Sequence, residues 1–99
     1  MEQTGMAEAG MTGASAHFSQ NYAQARGKFL AALDVAGLDV ETHAHPMLGR
    51  DGELLAMDVA LDGAKSARSL LIISSACHGV EGYCGSGIQV GLLHDASWR

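Results

Sequence analysis

The residues best suited to chemistry lie in one short segment, Cys77-His78-Gly79-Val80-Glu81-Gly82. His78 offers an imidazole nitrogen and Glu81 a carboxylate oxygen, and zinc accepts both types of ligand at about 2.0–2.2 Å. A step of three residues across a turn allows the two side chains to converge on one ion. A catalytic zinc with three protein ligands keeps one position for water and activates it. An H-x-x-E pair is common by chance, so the spacing alone also fits a loop histidine beside a solvated glutamate.

Other histidines are less well placed to complete such a site. His94 follows Glu81 on the same predicted helix and lies about 20 Å further along it at a rise of about 1.5 Å per residue. His43 and His45 alternate with apolar residues on an earlier segment. This alternation favours a solvent-facing position for both rings.

Two other kinds of site are open to the same segment. A cysteine hydrolase would use Cys77 or Cys84 with His78, but neighbours on a strand rarely provide the base and the orienting group that a nucleophilic cysteine needs. A phosphate site would use the glycine-rich start of a helix. However, G-x-G-x-x-G is absent, no Walker lysine follows, and Glu81 would repel a phosphate. Since neither cysteine is well placed to act as a nucleophile, both are interpreted as small buried hydrophobic residues.

The first elements that must position this segment follow from the apolar spacing. A helix is predicted with Ser19 as its N-cap and Gly37 ending it, because apolar residues recur at spacings of three and four from Phe18 to Ala36. Two short strands are predicted over residues 40–45 and 55–61, where apolar and polar residues alternate. Asp58 is interpreted as part of the solvent-facing side of the second strand.

The last elements lead directly into the candidate site. The continuous apolar run Leu70–Ile73 predicts a strand buried on both faces. A second helix is predicted from Glu81 to about His94, with Cys84, Ile88 and Leu92 on its apolar face. Glycines 82, 85, 87 and 91 indicate that its backbone lies close to a sheet or a ligand. The order helix-strand-strand-strand-helix indicates an α/β fold with helices flanking a mixed sheet, and this fold looks incomplete.

Composition excludes several classes of protein. The 99 residues carry a formal net charge of -5 and no run of Lys or Arg, so neither a nucleic acid nor an anionic membrane is an expected partner. Two cysteines are too few for a disulfide scaffold. The sequence shows neither a Sec signal nor an apolar run long enough to span a membrane, which predicts a cytoplasmic protein. Residues 1–16 are predicted to be a flexible tail, and the oligomeric state stays open.

Three stretches together carry a family resemblance. They are residues 18–29, with Phe18, Tyr22 and Phe29; residues 49–59, with Gly49, Asp51-Gly52 and Asp58-Val59; and residues 78–89, with His78-Gly79-Val80-Glu81-Gly82 and Ile88-Gln89. The last stretch resembles the zinc-binding H-G-x-E motif of the carboxypeptidase-like metallohydrolases, which include zinc carboxypeptidases and the succinylglutamate desuccinylase and aspartoacylase deacylases. Within that superfamily the chain most resembles domain-of-unknown-function family 2817.

The resemblance implies a function and a site. His78 and Glu81 correspond to the first two zinc ligands, and residues 17–99 to the N-terminal part of a zinc-hydrolase-like α/β domain. The third ligand, a histidine, and the catalytic glutamate and substrate-binding arginine are expected beyond residue 99, so no catalytic residue is predicted within this chain. Zinc-bound water would attack an amide or peptide bond in a small peptide. The alternatives are deacylation of an acyl-amino-acid substrate, or an inert, truncated interaction fragment.

Overall fold

The computed structural model describes residues 13–99, which contain five short elements. They are a 3-10 helix, Gly13–His17; helix α1, Tyr22–Ala36; strand β1, Glu41–Ala44; strand β2, Ala56–Val59; and helix α2, Gly82–His94. Both predicted helices and the first two predicted strands are confirmed. Within residues 13–99 no helix is both long enough and apolar enough to cross a membrane. Most of the predicted tail, residues 1–12, lies outside the described part, and residues 13–16 belong to the 3-10 helix.

Helix α1 is capped at both ends by its own sequence. Asn21 is extended, and its side-chain oxygen accepts a hydrogen bond of 2.8 Å from the N–H of Gln24. Asn21, not Ser19, is therefore the N-cap, because the chain enters the helix two residues later than predicted. At the other end Gly37 has a φ of 75° and donates its N–H to the carbonyls of Asp34 and Leu33. The predicted glycine stop is confirmed.

Strands β1 and β2 form an antiparallel hairpin, with Glu41 opposite Val59 and Ala44 opposite Ala56. The inward face of β2 is the opposite of the predicted one. Asp58 is nearly buried, with 5% of its side chain exposed, whereas Met57 and Val59 are exposed. The interpretation of Asp58 as a solvent-facing residue is wrong, because its carboxylate has charged and polar partners on the inner side.

An ion pair joins the hairpin to α1. Arg26 donates from Nε and from a terminal guanidinium nitrogen to the two oxygens of Asp58, at 2.8 and 3.1 Å. Thr42 adds a hydrogen bond from β1 of 2.7 Å. The hydrogen bonds from Arg26 hold the pKa of Asp58 below its ordinary value and raise that of Arg26. The carboxylate of Asp58 thus links α1 to both strands.

Tyr22 makes a second link between α1 and the hairpin. Its hydroxyl accepts a hydrogen bond of 2.8 Å from the N–H of Ala56 and donates one of 3.1 Å to the carbonyl of the same residue. Both bonds satisfy backbone groups on the edge of β2 that does not face β1. The hydroxyl therefore occupies part of the edge at which a third strand would pair.

The third predicted strand, Leu70–Ile73, is not confirmed. These residues have no regular secondary structure, and Leu70, Leu71 and Ile72 are 72–76% exposed. A strand needs a neighbour for its N–H and C=O groups. The described part of the chain offers only the two-stranded hairpin, and the apolar run stays exposed to solvent. A carboxypeptidase-like mixed sheet stays a prediction.

Helix α2 packs on α1 through small residues rather than through its predicted apolar face. Its buried residues are Ser86, Gly87 and Val90, and those of α1 are Ala25, Ala32 and Leu33. The predicted face is wrong, since Ile88 is 56% exposed. Cys84 and Cys77 are also exposed and not disulfide-bonded, so their interpretation as buried residues is wrong.

The inner face of α2 is set by its glycines. A Cβ on Gly87 would overlap the ring of Phe18, and one on Gly91 would lie 3.3 Å from the ring of His17. The side chains that precede α1 therefore occupy the space over this part of the helix. The backbone of α2 is thus closely approached here, but by aromatic rings and not by the predicted sheet or ligand.

We expect the Arg26–Asp58 pair to be thermodynamically coupled. Asp58→Asn and Arg26→Met should each lower the free energy of unfolding by about 1.5–3 kcal/mol, because each leaves a poorly solvated partner. The double variant should then lose less than the sum of the two losses. The exposed pair Arg50–Asp51 is the control, and Arg50→Met should leave the free energy of unfolding unchanged within error. Strictly additive losses at Arg26 and Asp58 would contradict the coupling.

The same ion pair predicts a dependence of stability on pH. Because the pKa of Asp58 is lowered in the folded chain from the ordinary value of 3.8, its contribution is complete above that value. The contribution is lost as the pH falls through the folded pKa. Chemical denaturation between neutral and acidic pH should show this loss in the natural chain and a smaller one in Asp58→Asn.

Two glycine substitutions should have opposite effects on stability. Gly87→Ala should destabilise the chain by about 1–3 kcal/mol, since its methyl group displaces Phe18. Gly27→Ala lies in α1 with nothing within 4 Å of the added Cβ and should stabilise it by about 0.5–1 kcal/mol. Thermal and urea unfolding measure both. A stabilising Gly87→Ala would show that Phe18 does not pack at this position.

Candidate metal centre

The segment before the candidate site lies along the first two turns of α2. Gln89 donates from Nε2 to the carbonyl of Ile73 at 3.0 Å and accepts a hydrogen bond of 2.5 Å from the hydroxyl of Ser75. A Cβ on Gly82 would lie 2.8 Å from the Cα of Ala76, and one on Gly85 would lie 3.2 Å from the Cβ of Ser75. The segment can lie this close to α2 only because both helix positions are glycine.

The chain then reverses through a strained residue. Ala76 has a φ of 61°, and no other non-glycine residue among 13–99 has a positive φ. This left-handed conformation costs a residue with a Cβ about 1 kcal/mol or more. The following turn is closed by the N–H groups of Gly82, Tyr83 and Cys84, which donate to the carbonyls three residues earlier at 2.9–3.1 Å. These bonds start α2 directly after Glu81.

His78 and Glu81 come together on this turn. His78 Nδ1 lies 3.9 Å from Glu81 Oε2, and the two side chains are 85% and 70% exposed. The N–H of Gly79 donates to Glu81 Oε2 at 3.4 Å, which orients the carboxylate toward the turn. Two ligand atoms each about 2.0–2.2 Å from zinc lie roughly 3–4 Å apart, so the pair fits two positions around one ion.

The pair lines a shallow cleft with the segment that lies along α2. The cleft has a volume of about 280 Å³ and is also lined by Ser74, Ser75, Ala76 and Cys77. The thiol of Cys77 lies 3.7 Å from the carbonyl of Ser75 and donates to it. We name this space the polar cleft. It leaves both predicted metal ligands accessible from solvent.

The other candidate residues do not join this pair. Within residues 13–99 no group of three or more His, Cys, Asp or Glu side chains could hold a metal ion. His45 accepts the N–H of Met47 at 3.0 Å, and His43 lies 3.5 Å from Glu41. His94 stacks on His17 with ring centroids 5.2 Å apart. The structure therefore brings together the two predicted ligands and adds no third from the described residues.

Sequence reasoning assigned no structural role at the turn to two residues near it. Gln89 binds the backbone of the preceding segment, and Tyr22 at the start of α1 lines a cleft with the turn residues. The helical spacing of Gly82, Gly85 and Gln89, at intervals of three and four, places them along one side of α2. This spacing could have indicated the contact from the sequence, because a polar residue in line with two glycines suggests contact with a neighbouring backbone.

Comparison with known protein families identifies the family to which the chain belongs. A family model described as a protein of unknown function, DUF2817, matches residues 18–99. The chain belongs to the DUF2817 family. No curated protein and no solved structure matches it. The predicted similarity to family 2817 is thus confirmed, and His78 and Glu81 lie within the part that DUF2817 covers. Its relation to the zinc carboxypeptidases stays a prediction.

Substitution of Gly82 should disturb the turn in this DUF2817 chain, whereas substitution of Gly79 should not. An added Cβ at Gly82 meets backbone at Ala76, so Gly82→Ala should cost about 1–3 kcal/mol. At Gly79 the added Cβ meets only Glu81 Oε1, at 3.2 Å, and that flexible side chain can move. Unfolding and amide exchange of residues 78–84 measure the difference. Equal effects of the two variants would contradict the described approach of Ala76 to α2.

Proposed function

We propose that this DUF2817 chain supplies two ligands, His78 and Glu81, to the zinc centre of a hydrolase that cleaves amide or peptide bonds. The observation that supports this most is the separation of 3.9 Å between His78 Nδ1 and Glu81 Oε2 on the rim of one cleft. When bound, zinc would supply a Lewis acid and an activated water molecule. Small peptides and acyl-amino acids both contain the required bond.

The residues of the chain itself would orient the two ligands. The N–H of Gly79 donates to one oxygen of Glu81 at 3.4 Å, which favours a position of the carboxylate beside the imidazole. Ala76 packs closely against Gly82 and so holds the turn against α2. This contact fixes the position of the backbone that leads into His78. Such support matters because a metal site depends on residues that hold the ligands in place as well as on the ligands.

Two ligands do not complete a catalytic zinc site, which typically has three from protein. From the family resemblance, we expect a further histidine, a general-base glutamate and a substrate-binding arginine beyond residue 99. The 99-residue chain should therefore bind zinc weakly and hydrolyse nothing. This proposal places metal binding, not catalysis, within residues 13–99.

Zinc titration of the full 99-residue chain tests the proposal. His78→Ala and Glu81→Ala should each weaken zinc binding by about tenfold or more in calorimetry, since each removes one of two protein ligands. His43→Ala and His45→Ala are matched controls from the exposed hairpin and should change the affinity by less than about twofold.

Two results would contradict the assignment. Unchanged zinc affinity in both His78→Ala and Glu81→Ala would show that the turn is not the binding site. A loss of affinity in His43→Ala would place the ion on the hairpin instead. Circular dichroism of each variant confirms that the helices are retained.

A further inference from the structure

The outer edge of β1 is open. Within residues 13–99 the sheet consists of β1 and β2 alone, and all four residues of β1 are exposed. The N–H of His45 donates to the carbonyl of Leu55 at 2.8 Å, on the side of β2. Because backbone groups alternate between the two sides of a strand in an antiparallel pair, the N–H and C=O of Thr42 and Ala44 face away from β2. A row of such groups is a template for a further strand.

The ionisable side chains along this edge complement themselves about Thr42. Acidic residues lie one and three positions before Thr42, and histidines lie one and three positions after it. They are Glu41 and Asp39, and His43 and His45. These alternate positions place all four side chains on one face of an extended strand, and His43 Nε2 lies 3.5 Å from Glu41 Oε2. A strand with two acidic residues followed by two histidines meets its own complement when a copy of it runs in the opposite direction.

A second copy of β1 that is antiparallel to the first would satisfy the open edge. With a two-fold axis at Thr42, this residue pairs with Thr42 of the second copy, and Ala44 lies opposite Val40, which directly precedes β1. The outward-facing backbone groups of both copies then meet. Helix α1 lies at the opposite edge of the hairpin, where Tyr22 binds Ala56, so the two copies of α1 stay apart.

The same axis opposes unlike side chains at every ionisable position. Glu41 faces His43 of the second copy, and Asp39 faces His45, which gives two such pairs in each direction. An imidazole N–H can donate to a carboxylate whether the ring is neutral or protonated. Shifting the axis by one residue, to Glu41 or His43, places that residue opposite itself. Shifting it by two residues places the two acidic residues or the two histidines opposite each other, and like charges in such positions are destabilising.

We propose that this chain forms a two-fold dimer in which β1 pairs with β1 of a second copy, antiparallel about Thr42. The dimer contains one four-stranded sheet with the order β2-β1-β1-β2. It uses no residue of the proposed zinc centre, so the two proposals are tested separately. Because a single strand pair buries much less than a standard interface of about 1,600 Å², the dimer is expected to be weak and in exchange with the monomer.

Charge variants test the pairing in sedimentation velocity of the full chain, at concentrations from about 10 μM to about 1 mM. The natural chain should show reversible exchange between monomer and dimer. Glu41→Lys and His43→Glu should each weaken the dimer by about fivefold or more, because neither variant opposes unlike groups at these two positions. An equimolar mixture of the two variants should recover the association of the natural chain, since each pair between the two different variants joins unlike groups.

Two controls separate this edge from other surfaces. Asp51→Lys changes the net charge as much as Glu41→Lys does, but Asp51 is an exposed residue of the connection between β1 and β2. Ile72→Asp alters the exposed apolar run. Each control should change the dissociation constant by less than about twofold. A chain that is monomeric at every concentration, a mixture that does not recover the association, or an association lost only in Ile72→Asp would overturn the proposal.

Isotope-filtered NMR of mixed labelled and unlabelled natural chain tests the register without any substitution. About the proposed axis, Glu41 and His43 of different copies form a non-hydrogen-bonded pair, whose Cα atoms lie about 4.5 Å apart. A contact between their α protons across the two copies is expected. Contacts between copies that join Glu41 to Glu41, or that involve only Leu70–Ile73, would contradict the pairing about Thr42.

Discussion

The close approach of neighbouring backbone and rings to the glycines of α2 is the constraint on which the described structure depends. Gly82 and Gly87 have no room for a Cβ, and Gly85 has little. Phe18 packs against Gly87 and so connects α2 to the start of α1. The segment that ends at Cys77 packs against Gly82 and Gly85. The core and the candidate site therefore share one cause, which is the lack of a side chain at these glycine positions of α2.

This constraint explains why a short turn can hold two exposed side chains in a defined relation. His78 and Glu81 are not buried, and packing does not fix their rotamers. What is fixed is the backbone on both sides of them, by Ala76 in its left-handed conformation and by the start of α2 at Gly82. A metal ion would then select among the few rotamers that this backbone allows, which is less demanding than organising a free loop.

The hairpin contributes to the structure in a different way. It adds few buried apolar residues, and it is attached to α1 through the ion pair of Asp58 and through the hydroxyl of Tyr22. Polar attachment of this kind depends on the geometry of a few bonds rather than on buried area. It also places Tyr22 beside the turn, so the residue that holds β2 lines a cleft together with His78.

The sequence predicted what depends on local signals. The amphipathic helix, the stop at Gly37, the alternation in β2 and the proximity of His78 and Glu81 all follow from spacing within a few residues. The third strand at Leu70–Ile73 was not confirmed, because pairing depends on a neighbour that residues 13–99 do not provide. The inward faces of β2 and α2 were wrong for a related reason. Arg26 binds Asp58 from 32 residues away in the sequence, so Asp58 faces inward. On α2 the rings pack against the glycines, whereas Cys84 and Ile88 are exposed to solvent.

The central claim is that His78 and Glu81 hold the zinc ion. X-ray absorption at the zinc edge of the zinc-loaded chain tests this claim most directly. Nitrogen and oxygen neighbours lie at about 2.0–2.2 Å from zinc, whereas a thiolate lies at about 2.3 Å and scatters more strongly. The account predicts one imidazole, one carboxylate and water, with the imidazole signal absent in His78→Ala. A sulfur neighbour would assign the ion to Cys77 or Cys84, and two imidazoles would assign it to a histidine pair such as His17 and His94; either result would contradict the account.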